Sequence, residues 1–340
     1  MFFALTDDQR EFDAAVRSYL AERFDLAAVR AVVEDPGSDG NPETLWKAAG
    51  EQGWLAVLVP EEQDGLGLGL VEAQVIARAL GAGAAPGPWR GTVLAAEAVR
   101  LAGSDEQRAA WLPRLAAGDA VGAFTLSGAA PGPLPAVEYA GIADVVVARS
   151  GAGLALVTDV AATPRVRTTG PRASRTPPPA PWRRCRARRE VVDRLAALAA
   201  VLVAADLAGI AREALTRTVA YDRERRQFGV PVGSFQAVKH ALADVHVGVT
   251  MAEHAALYAA HALDAGLPDA ALAVAVAKAK ASDAALDATG AMIQYHGGIG
   301  YTWEHESHFF YKRAKRLAGQ YGDAAAHRAR IAELTIADRR

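Results

Sequence analysis

Four alanine-rich stretches fill the C-terminal part of this 340-residue chain, over Val191 to Asp222, Phe235 to Ala265, Pro268 to Tyr295 and Glu306 to Ala318. Long helices joined by short connections favour an antiparallel bundle. The composition, 51% hydrophobic and 22% charged, is that of a soluble globular protein and excludes a disordered or collagen-like chain. At about 100–200 residues per domain, the length accommodates two or three domains.

The N-terminal part is helical too. Thr6-x-x-Gln9 has the form of a capping box, and Phe12, Val16, Tyr19, Leu20 and Phe24 follow at helical spacing. Glu43 to Gly53 repeats the pattern with Leu45, Trp46 and Ala49 inward, and further helices are expected over Leu70 to Leu80 and Asp105 to Ala117. After Gly118 the texture changes to short β-type runs, Gly122 to Leu126, Asp144 to Ala148 and Gly153 to Thr158, bounded by Gly and Pro. The predicted fold is mainly α with a small β domain: an N-terminal helical domain over 1–118, a reduced β domain over 119–189, and a C-terminal four-helix bundle over 190–340.

The formal net charge of −2 hides an uneven distribution. Arg165 to Arg189 carries nine arginines and no acid, so the rest of the chain is an acidic body. With its prolines and few aliphatic residues, Pro164 to Arg189 reads as a loop or linker. Such a segment could serve as an anion- or nucleic-acid-binding arm, or attract the phosphates of an anionic substrate. It lacks interleaved aromatics apart from Trp182, and a solvated loop is the preferred reading, with no nucleic-acid partner.

Cys185 is the only cysteine, which leaves no internal disulfide. Its arginine neighbours should lower its pKa, although no His or Asn arrangement makes it a nucleophile. The N-terminus lacks a basic n-region and cleavage site, and the most apolar run, Leu195 to Ala205, falls short of the ~18–20 residues of a membrane span. A cytoplasmic protein without a membrane partner is expected. His296, His305 and His308 show no metal-site spacing. Gly65-x-Gly67-x-Gly69 lacks the spacing and βαβ context of a dinucleotide loop.

Two segments carry candidate chemistry. Glu224-Arg225-Arg226-Gln227-Phe228-Gly229-Val230-Pro231 closes one helix, and Ser234-Phe235-Gln236-Ala237 opens the next. Guanidinium donors beside a Gly-Pro turn and a helix N-terminus suit an anion such as a pyrophosphate, and also suit a solvated helix end. Gln294-Tyr295-His296-Gly297-Gly298-Ile299-Gly300 lets a backbone approach a ligand closely, or simply caps a helix.

Together these motifs make the sequence similar to the acyl-CoA dehydrogenases, in which Arg-x-Gln-Phe-Gly and Gln-x-x-Gly-Gly-x-Gly grip FAD. The resemblance extends through Gly53-Trp54-Leu55, Val59-Pro60-Glu61, Trp111-Leu112-Pro113, Phe124-Thr125-Leu126-Ser127 and Leu242-Ala243-Asp244. It implies Arg225 at the FAD pyrophosphate, Phe228 packed on the cofactor, and Gln236 in its hydrogen-bonding network. It further implies Gln294, Gly297 and Gly298 at the adenine side, and Leu126 and Ser127 near the flavin ring. A site shared between subunits implies a homo- or hetero-oligomer. The implied reaction is α,β-dehydrogenation of an acyl-CoA substrate to the trans-2-enoyl-CoA, with an electron-transfer flavoprotein or similar acceptor as partner.

That reaction needs a carboxylate base and a polarised thioester. Matched without gaps, the usual base position falls at Tyr321. The alternative base position falls at Ala199, and a neighbouring CoA-binding arginine position at Ala200. Asp323, two residues beyond Tyr321, is a candidate catalytic carboxylate or a plain helix N-cap. After Ser127 the chain reads Gly128-Ala129-Ala130-Pro131, without the family's acidic continuation, and its flavin-shielding Trp strand is not recognisable. Two functions therefore stand: an active flavoenzyme with a displaced base, or a base-less subunit that resembles the short partner chains of actinobacterial heterotetrameric acyl-CoA dehydrogenases.

Overall fold

The computed structural model describes residues 4–128, 134–158, 163–164, 173–176, 183–185 and 188–337. Six helices come first: α1 (Asp7–Arg23), α2 (Leu26–Glu34), α3 (Glu43–Glu51), α4 (Leu70–Ala82), α5 (Trp89–Ala102) and α6 (Asp105–Ala117). The expected box opens α1, with the Gln9 N–H donating to Thr6 Oγ1 at 3.2 Å and the Thr6 N–H to Gln9 Oε1 at 3.0 Å. Ser104 and Gln107 open α6 in the same way. Trp46 is only half-buried, and its indole N–H donates to the Gly118 carbonyl at 2.9 Å.

Helix α5 escapes sequence reading for a physical reason. Trp89, Thr92 to Val99 and Ala102 are all buried, no side chain caps its N-terminus, and its charges are held in ion pairs, Arg90 with Glu138 and Arg100 with Glu97.

Seven strands follow: β1 (Gly122–Thr125), β2 (Leu134–Glu138), β3 (Val145–Ser150), β4 (Gly153–Thr158), β5 (Thr163–Pro164), β6 (Ala173–Thr176) and β7 (Arg183–Cys185). One sheet runs β1-β3-β4-β7, with β1 parallel to β3 and the other pairs antiparallel; the second runs β2-β6-β5. Leu134, Val137, Val146, Ala148 and Val157 form their apolar core. The loop expected over Pro164 to Arg189 is corrected by β6 and β7, because backbone pairing with β2, β5 and β4 forms strands there without any side-chain pattern that marks them. Most other residues of that segment, and with them its proposed anion-binding role, lie outside the described residues.

Cys185 is also corrected. Its thiol is buried at the β7 edge, where desolvation pushes the pKa up to about 11.

The chain then forms α7 (Arg189–Glu224), β8 (Arg226–Gln227), β9 (Val230–Pro231), α8 (Gln236–Asp264), α9 (Ala270–His296), α10 (Ser307–Ala318) and α11 (Ala324–Ala337). The four expected helices thus appear within two residues of their expected ends. Helix α7 is long and apolar enough to cross a membrane, well beyond the 11-residue run read from the sequence, but 83% of its most apolar window is buried as core.

The described residues fall into two compact units. One comprises 27–73 and 86–199, and contains both sheets with α2, α3, α5 and α6. The other comprises 1–26, 74–85 and 200–340. In this second unit α4 and α7 cross at glycines: a Cβ on Gly81 would lie 2.1 Å from the Asp206 carbonyl oxygen, and one on Gly209 2.0 Å from that of Arg78. The backbones meet too closely for any side chain. Beside the crossing, Arg313 donates to both Asp206 oxygens at 3.0 and 2.8 Å and to the Ala85 carbonyl at 2.8 Å.

Candidate functional site

The C-terminus of α7 leads directly into a tight hairpin. Arg226 pairs with Pro231 and Gln227 with Val230, leaving Phe228 (φ 53°) and Gly229 (φ 80°) as the two-residue turn. This places Phe228 at the tip, 92% exposed, with its ring edge-on to Phe235 at 6.3 Å. Arg225 is exposed, and its guanidinium has no partner among the described residues. Arg226, also exposed, donates to the Gly229 carbonyl at 3.3 Å. Gln236 begins α8, exposed, immediately after Phe235.

The second motif ends α9. Gln294 is exposed, and its carbonyl accepts from the Gly297 N–H as the chain turns with Gly297 at φ 64°. A Cβ at Gly297 or Gly298 would meet nothing within 4 Å, so this backbone is open to a close ligand. A 3-10 turn over Gly297–Tyr301 follows. Tyr221, on the last turn of α7, stacks on His296 with centroids 4.4 Å apart. The two motifs are thereby brought to neighbouring helix ends although some 70 residues separate them. Leu126 and Ser127 lie in the other unit, just after β1, half-buried and exposed respectively, and the Ser127 N–H donates to Thr125 Oγ1 at 3.1 Å.

The positions for a base are equally definite. Ala199 is fully buried on α7, and Tyr321 sits in the left-handed region at φ 52°. The Asp323 carboxylate accepts the Ala326 N–H at 2.8 Å, the N-cap bond of α11. The loop between α10 and α11 is tied from below by Lys278, fully buried on α9. Its ammonium donates to Ser282 Oγ at 3.0 Å, the Ala318 carbonyl at 3.0 Å and the Gly322 carbonyl at 2.9 Å. Burial lowers its pKa to about 8, and the nearby Asp323 charge opposes that shift. His327 Nε2 is 3.0 Å from the Tyr321 carbonyl.

Sequence reasoning missed Lys278 and Asp222, because neither belongs to a motif and only burial distinguishes them. Asp222 is 1% exposed, its oxygens accept no hydrogen bond among the described residues, and burial pushes its pKa up to about 6. The folded chain holds that proton more tightly than the unfolded one, so stability falls as pH rises from about 4 to about 6 and stays lowered above. Asp222→Asn is expected to raise stability by about 2–3 kcal/mol at neutral pH and to change little near pH 4. Urea midpoints at the two pH values check this.

Helices, a small β region, then a long-helix bundle with both motifs at its helix ends is the architecture of a flavin-dependent acyl-CoA dehydrogenase. Residues 6–119 match the model of the acyl-CoA dehydrogenase N-terminal domain, and residues 190–335 that of the C-terminal domain. The acyl-CoA dehydrogenase IpdE2 of Mycobacterium tuberculosis (strain ATCC 25618 / H37Rv) is 36% identical over 316 residues, 91% of each chain. Among solved structures, the Tcur3481-Tcur3483 steroid ACAD G363A variant aligns with TM-score 0.87 at 28% identity, over 98% of this chain and 99% of that one. A chain of the ChsE4-ChsE5 complex from Mycobacterium tuberculosis aligns with TM-score 0.89 at 25% identity, over 98% and 99%. The chain belongs to the acyl-CoA dehydrogenase family.

The cofactor of this family is FAD. The groups present fit it: an unpartnered guanidinium for a diphosphate, an exposed phenyl ring for a flat apolar surface, an exposed amide, and a glycine turn without side chains.

Proposed function

We propose that this chain is one subunit of a heteromeric, FAD-dependent acyl-CoA dehydrogenase that converts an acyl-CoA thioester to the trans-2-enoyl-CoA, with the base supplied by a partner chain. FAD supplies the hydride acceptor. Arg225 holds its pyrophosphate, Phe228 packs against it, Gln236 joins its hydrogen-bonding network, and Gln294, Gly297 and Gly298 receive the adenine side. Leu126 and Ser127 flank the flavin ring. Electrons then pass to an electron-transfer flavoprotein or a similar acceptor.

One observation carries the reading. Neither position that bears the family's base holds a carboxylate, and the adjacent Asp323 already accepts the first-turn N–H of α11. The structures named above, an ACAD of two gene products and a complex of two chains, support a two-chain assembly.

Asp323→Asn separates this from an autonomous dehydrogenase, since asparagine caps a helix about as well as aspartate but removes no proton. The experiment co-expresses the chain with a neighbouring acyl-CoA dehydrogenase-like chain and measures bound flavin and dye reduction with straight-chain and steroid acyl-CoAs. The expected result is a yellow complex whose rate survives the substitution within about twofold, against the 10²–10⁴-fold that a general base contributes. A loss on that scale would make Asp323 the base.

A further inference from the structure

His296 and His305 lie against each other beside the Gly297–Tyr301 turn, with ring centroids 4.4 Å apart and planes tilted by 49°, and Tyr221 stacks on His296. Their protons are fixed by their partners. His296 Nδ1 is 2.7 Å from the Met292 carbonyl, which accepts only, so Nδ1 carries the proton and Nε2 is bare. His305 Nδ1 accepts the Ser307 N–H at 3.1 Å, so its proton is on Nε2. Ser307 Oγ in turn donates to the Gly300 carbonyl at 2.6 Å. The two rings in contact therefore brace the Gly297–Tyr301 turn, His296 at its start and the His305–Ser307 bonds at Gly300.

This brace tolerates no second charge. A proton on His305 Nδ1 would face the Ser307 N–H donor, and a proton on the buried His296 would lie against both His305 and the Arg217 guanidinium. Arg217 and Glu306 are paired at 2.9 Å; the Glu306 charge favours a proton on His296 and the Arg217 charge opposes it. Tyr221 contributes a ring and no charge. Burial, with His305 and Arg217 adding to it, outweighs the Met292 carbonyl and Glu306 and holds the His296 pKa below its ordinary value.

We propose that His296 and His305 are positioning residues which, as a neutral pair in ring contact, hold the Gly297–Tyr301 turn in the shape that receives FAD, and which release it on acidification. The inference rests on the assignment of Gln294, Gly297 and Gly298 to FAD, and adds pH regulation to that site.

The test compares FAD affinity of the co-expressed complex at about pH 7.5 and about pH 5.5, by flavin fluorescence, for the wild type and for His305→Asn. Asparagine offers an oxygen to the Ser307 N–H but does not titrate. The wild type is expected to weaken about tenfold, the equivalent of one pKa unit, and the variant by less than about twofold. A flat wild-type profile, or a variant that keeps the wild-type dependence, overturns the proposal. Absence of FAD binding at pH 7.5 would instead overturn the FAD assignment. The pair is then judged by NMR titration of His296, whose pKa is expected below the ordinary 6.5 and to rise in His305→Asn. A His296 pKa at or above 6.5, or one unmoved by the substitution, overturns the pairing. The same titration on the wild type serves if the variant does not fold.

Discussion

Dye reduction with an acyl-CoA is expected to be absent from the isolated chain and to appear when a partner bearing the glutamate base is co-expressed, a difference of at least about a hundredfold from general-base catalysis. The argument is one of proton acceptance. The α-proton of a thioester needs a carboxylate at the reacting carbon. Ala199 offers none, Tyr321 carries a phenol in place of a carboxylate, and Asp323 spends an oxygen on the Ala326 N–H. Replacing the partner's glutamate by glutamine should abolish the rate and leave bound flavin unchanged. Turnover by the isolated chain would sink the heteromeric reading.

Asp206→Ala is expected to cost about 3–5 kcal/mol, because it leaves the Arg313 guanidinium buried beside the α4–α7 crossing without its counter-charge. Asp206 is 3% exposed and accepts two bonds from Arg313, and the same guanidinium reaches the Ala85 carbonyl. The pair thus ties α10 to α7 and to the end of α4. Removing both charges together, in Asp206→Leu/Arg313→Met, should recover most of the loss, since a buried pair replaced by packed apolar groups is often neutral. Urea midpoints of the single and double variants decide it. A single variant within about 1 kcal/mol of wild type would show that water already solvates the pair.

Much of the fold was legible because its signals are local. The capping box at Thr6 closes within three residues, and the amphipathic or alanine-rich runs of α1, α7, α8 and α9 repeat within one turn. Helix α5 was passed over because no side chain caps its N-terminus, so the local start signal found at Thr6 is missing there. The strands of the Arg-rich segment were hidden because pairing with a distant strand, and not side-chain pattern, creates β7.

By itself the sequence determined the helical class, the order of elements, the two motifs, and the absence of a carboxylate at Tyr321 and Ala199. Only the tertiary structure decided what the remaining charged groups do. It assigned Asp323 to a cap, Lys278 to two loop carbonyls, Asp206 to Arg313, and His296 to His305 and Tyr221. The reason is physical: helix formation and capping depend on neighbours a few residues away. The charge state and partner of a buried group depend on which distant segments close over it and how far they exclude water.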